Sequence, residues 1–151
     1  MTGTHDLTAL VTSAWEAVDD PTTTRRDLSL DAIGDVLETG RLPRDEAERA
    51  AERLVALALS AEDHPVRESA LHAVCLATGQ YRLPYRTLAP LAEHGDAFAP
   101  VLLPYVLAAI SSTHDRQALP LVQRYLRHPH PEVRAEAAGA LHELRLGTAC
   151  P

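Results

Sequence analysis

Between Leu119 and Leu144 the sequence spells out two helices and the turn that joins them. Leu119, Val122 and Leu126 recur at steps of three and four, with Tyr125 beside them, so they share one side of a helix. His128-Pro129-His130 interrupts that pattern as a polar turn. Pro131 then stands where a new helix can begin, because the N–H it lacks would have no partner in a first turn. Val133, Ala137, Ala140, Leu141 and Leu144 give the second helix a single apolar face. Two helices this short cannot cover each other, and the surface left over calls for neighbours of the same kind.

The rest of the chain supplies them. A first helix is predicted over 5–19, with Leu7, Leu10, Val11, Ala14, Trp15 and Val18 on one side. Trp15, the only tryptophan, reads as a core anchor. A second helix over 25–38 buries Leu30, Ile33 and Leu37 and is ended by Gly40. The third, 44–60, starts after Pro43 and fills its later turns with Leu54, Val55, Leu57 and Leu59. The fourth, 66–78, buries Val66, Ala70, Leu71, Val74 and Ala77, with Cys75 as a small buried hydrophobe. A short fifth helix over 84–93 is interrupted by Pro90. The sixth, 97–111, is apolar nearly all round, from Phe98 and Val101 to Ile110, so it should be flanked on several sides and kinked at Pro104. Hairpins over 5–39, 44–78, 84–111 and 115–146 make eight helices in one domain, 1–151.

Two of the hairpins repeat each other. Val66, Arg67, Ala70, Ala73 and Val74 match Val133, Arg134, Ala137, Ala140 and Leu141 at an offset of 67 residues. One intervening helix pair makes the period about half of that, within the range of helical repeats. A valine–arginine pair at a proline-bearing helix start, followed by small residues, resembles the bacterial HEAT-like repeat family. The resemblance implies an all-α, right-handed α-solenoid of about four hairpins, with the valine as a core plug and Arg67 and Arg134 tying neighbouring hairpins together. It also implies a concave binding surface built from the second helix of each hairpin.

Charge narrows the partner. The chain carries 21 acids against 14 basic residues, all of them arginine. Residues 1–63 hold 14 acids and six Arg, net −8, whereas the remainder is net +1. A phosphate backbone would be repelled, which argues against nucleic acid; a basic protein would be drawn in. Asp27, Asp31, Asp35 and Glu38, at steps of four, four and three, form one carboxylate stripe. Like charges so placed cost a few tenths of a kcal/mol per pair, so the stripe reads either as solvated surface or as a docking face.

Chemistry has no foothold. A straight helix face cannot wrap a cation, Cys75 and Cys150 stand 75 residues apart, and His128 and His130 lack a third ligand. Neither a phosphate loop nor a nucleophile elbow occurs. The di-iron hydroxylases of the HEAT-like family carry His-Glu after the Val-Arg, where this chain has Glu68-Ser69 and Ala135-Glu136. The DNA glycosylases of similar fold use a basic, aromatic groove, and the phycobilin lyases want more aromatic residues than this chain offers. The expectation is therefore no enzyme, no cofactor and no metal. With no secretory leader and no run of about 18 apolar residues, neither export nor a membrane span is expected, and the protein reads as cytoplasmic. The expected partner-binding positions are Asp27, Asp31, Asp35, Glu38, Glu68, His72, Tyr105, Glu136 and His142. A small acidic repeat protein of this kind resembles the immunity proteins of bacterial toxin systems, which implies sequestration of a basic toxin domain. The alternatives are an adaptor or assembly scaffold, or a HEAT-like lyase- or hydroxylase-type enzyme.

Overall fold

A computed structural model describes residues 3–148. Among them lie eight α-helices and no strand: α1 (Gly3–Asp19), α2 (Arg26–Glu38), α3 (Arg44–Ser60), α4 (His64–Thr78), α5 (Tyr85–Glu93), α6 (Leu103–Ser111), α7 (Leu119–Tyr125) and α8 (Pro131–Thr148). Short 3-10 turns at Gly95–Ala97 and Arg116–Ala118 precede α6 and α7. Consecutive helices pair as α1–α2, α3–α4, α5–α6 and α7–α8, and second helices pack together as α2–α4 and α6–α8. That order of pairing is the one an all-α solenoid uses. The chain divides between Tyr81 and Arg82 into two compact units of two hairpins each.

In the first unit Leu30, Ile33, Leu37, Leu54, Val66 and Leu71 are withdrawn from water. Each contributes about 1.5–3 kcal/mol of burial. Gly40 follows α2 at φ +67°, the left-handed conformation that lets a helix stop without a Cβ clash. The loop after it is fastened by Tyr81, whose hydroxyl accepts from the Leu42 N–H (3.0 Å) and donates to the Leu42 carbonyl (3.1 Å).

The repeated arginines hold carbonyls within their own hairpins. Arg67 Nε donates to the Ala58 carbonyl in the last turn of α3 (2.9 Å), and Arg134 Nη1 donates to the carbonyls of His128 (2.8 Å) and Pro129 (2.9 Å). These bonds close each hairpin on itself. They satisfy carbonyls that a helix end or turn leaves without a backbone partner. Arg26 plays the same part in the first hairpin, donating through Nε to the Val18 carbonyl (2.9 Å). The Val-Arg pattern did not reveal it, because Arg26 has no valine before it.

The second unit is less regular. The helix predicted over 97–111 begins only at Leu103, and Pro104 lies in its first turn, where it breaks no hydrogen bond and makes no kink. Val101 lies in the turn before it, 61% exposed, so the apolar run is not covered on every side. His114 has φ +54°, unusual for a residue with a Cβ. Its Nδ1 lies 2.9 Å from Arg82 Nη2 and its Nε2 3.6 Å from Glu143 Oε1. Tyr125 is buried with its hydroxyl toward Asp96 (3.3 Å), and Arg124 ion-pairs with the same carboxylate.

Three smaller expectations also need correction. Leu10 is 58% exposed, since α1 packs chiefly on α2 and that contact is narrower than its apolar stripe. Leu141 is half-buried. Cys75 is half-buried and not disulfide-bonded, while Cys150 lies outside the described residues.

Candidate protein-binding surface

The second helices of the first unit meet at small residues. A Cβ on Gly34 of α2 would lie 3.2 Å from both Cα and Cβ of Ala73 and 3.1 Å from Cδ1 of Leu76, both on α4. Contact that close brings the flanking side chains of the two helices to the rim of one pocket of about 270 Å³. Asp31 and Asp35 stand on its α2 side, His72 and Leu76 on its α4 side, with Gly34 and Ala73 between them.

Asp31 and Asp35 are exposed, and no hydrogen bond or ion pair joins either to another described residue. Asp27 differs. Arg25 grips it with both Nε (3.0 Å) and Nη2 (2.9 Å), and that hydrogen bonding holds its carboxyl below the usual carboxylate range. The predicted stripe of four thus offers three open carboxylates, Asp31, Asp35 and Glu38, with Glu38 exposed in the last turn of α2.

Glu68 lies one turn before His72 on α4, 3.5 Å from His64 Nε2. The remaining predicted positions belong to the second unit: Tyr105 half-buried on α6, Glu136 half-buried and His142 exposed on α8. So the fold brings Asp31, Asp35 and His72 to one pocket, sets Glu68 near it, and leaves Tyr105, Glu136 and His142 on other helices.

Sequence reasoning passed over Gly34, Leu76 and Leu28. A glycine in mid-helix was the available signal for the first, since it is kept there at a cost of about 1 kcal/mol against alanine. Leu28, 53% exposed, precedes Asp31 by three positions and Asp35 by seven, which sets an apolar side chain on the carboxylate face.

No group of three or more His, Cys, Asp or Glu among the described residues is placed to hold a metal. The rings of His128 and His130 lie 5.3 Å apart, and the His130 N–H donates to His128 Nδ1 (3.1 Å), a self-contained turn. No helix among the described residues is long and apolar enough to cross a membrane.

Residues 118–144, which include α7 and much of α8, match the HEAT repeat family. No curated protein and no solved structure matches the chain. The match and the all-helical fold together support a HEAT-like repeat family, whose repeats generally mediate protein–protein interaction and are typically non-catalytic.

Proposed function

We propose that this chain works as one non-enzymatic, cytoplasmic protein-binding domain, and that it is an immunity-type inhibitor holding a basic toxin domain against the α2–α4 face. The observation that carries this reading is the open pair Asp31 and Asp35 beside a pocket with apolar walls, in a stretch whose net charge is −8. Carboxylates with no hydrogen-bonded or ion-paired cation of their own are available to an external one, and complementary potential speeds encounter and rejects wrong partners. Leu28, exposed on the same helix face, adds apolar area to the contact.

The test is a titration against a basic, nuclease-type toxin domain, to be sought in the reading frames adjacent to this one. Asp31→Arg together with Asp35→Arg should weaken the complex by at least tenfold, about 1.4 kcal/mol, and flatten its dependence on salt. Unchanged affinity in the double variant would end the reading.

A further inference from the structure

The pocket between α2 and α4 has the size of one side chain. Its volume of about 270 Å³ falls below the range of about 300–1,000 Å³ that whole small ligands occupy. A helix, about 10 Å across, stays outside it. Its floor is Gly34 and Ala73, both buried, where the two helices close on each other. Leu76, half-buried, forms a wall beside them. A glycine and two apolar side chains ask for a stem of carbon.

The mouth carries charge of one sign. Asp31 and Asp35 line it, both exposed and joined by no hydrogen bond or ion pair to another described residue. Among the described residues no arginine lines the pocket, and its remaining polar member is His72 on α4. Arg25, just before α2, is taken up by Asp27. Arg26, the basic residue within α2, donates through Nε to the Val18 carbonyl (2.9 Å).

Resting on the reading of this face as the docking surface, we propose that the pocket is the socket for one arginine side chain of the bound protein. Its methylenes lie along Leu76 over Gly34 and Ala73, and its guanidinium spans Asp31 and Asp35. Long basic side chains bury their stems on apolar surface in this way and keep their charged ends at the rim. The placing of the acids selects arginine over lysine. Asp31 precedes Asp35 by four positions on one helix, which separates them by about 6 Å along its axis. A guanidinium carries its five N–H donors on a flat fork, with an edge for each carboxylate. An ammonium is a compact, strongly hydrated point charge with no such fork. Because both acids stand in water, each pairing is modest, so the discrimination expected is several-fold.

The full, isotope-labelled chain is titrated with a capped Gly-Arg-Gly tripeptide while the backbone amides of Gly34, Ala73 and Leu76 are followed by NMR. Saturable shifts centred on these amides are expected. A Gly-Lys-Gly tripeptide should bind about threefold more weakly. Asp31→Asn and Asp35→Asn should each weaken the arginine probe about threefold, since each removes one of two exposed pairings. Glu52→Gln, which removes the same charge from an exposed position on α3, should leave it unchanged. No saturable shift, equal binding of the lysine probe, a loss in only one of the two Asp variants, or an equal loss in Glu52→Gln would each overturn the proposal. If the arginine probe fails while the toxin-domain complex responds to its double variant, the socket falls and the docking face stands. If the probe binds and that complex does not respond, the docking face falls and the socket stands.

Discussion

The two units follow one plan and hold it by different means. In the first, helices of 17, 13, 17 and 15 residues carry long apolar stripes, and the second helices close directly on small residues. In the second, helices of 9, 9 and 7 residues precede the 18-residue α8, with prolines at or near several of their starts. Short helices gain little from propagation and bury little area each. There the loops are secured by side chains, through Tyr125 and Arg124 on Asp96 and through Arg82 and Glu143 about His114. Both units fasten their turns with polar side chains, but the unit of long helices has more apolar area on each helix for those fastenings to supplement.

Substitutions at the two closest approaches sharpen this contrast. Gly34→Leu drives a branched side chain into Ala73 and Leu76 and should cost about 3 kcal/mol in chemical denaturation. A cost below about 1 kcal/mol would mean that the α2–α4 contact yields easily, and the contrast would fail. Gly95→Ala probes the other unit, where a Cβ would lie 2.6 Å from the hydroxyl oxygen of buried Tyr125. Because only the end of one side chain must shift, about 1–2 kcal/mol is expected.

The smallest effect is the response to pH, which separates the units by direction. Asp20 and Asp27 are held below the usual carboxylate range, Asp20 by the N–H and hydroxyl of Thr22 and Asp27 by Arg25. Their stabilisation is present above that range and is lost as pH falls through the lowered values. Burial pushes Tyr85 and Tyr125 above the usual phenol value, so their contribution is complete below it and is lost as pH rises through the raised values. Acid should therefore loosen the first unit before the second, and alkali the second before the first. Trp15 emission reports the first unit, and tyrosinate absorbance reports chiefly the second, which holds Tyr85, Tyr105 and Tyr125 while Tyr81 belongs to the first.

The same contrast sets what the sequence could disclose. Helix α3 lies at 44–60 as predicted, because Pro43 and Asp45 mark its start and a periodic stripe fixes its phase. Val66 and Val133 are buried where the repeat requires. The run 97–111 gave no phase, since a stretch apolar on all sides has no face to align, and Pro104 reads equally as a kink or as a start. At the candidate surface, the steps of four put Asp31 and Asp35 together. The loss of Asp27 to Arg25 depends on how the chain enters α2, which spacing does not encode. The pocket itself depends on Gly34 meeting Ala73 from 39 positions away in the chain.

Arg26, Arg67 and Arg134 have a consequence for how such a chain can change. Each reaches back across one turn to carbonyls of the helix or turn before it. A helix pair that brings its own clasp can be copied, lost or exchanged during descent without reworking the pair beside it. In the third pair no arginine follows a valine, so its sequence departs from the pattern that the second and fourth pairs share.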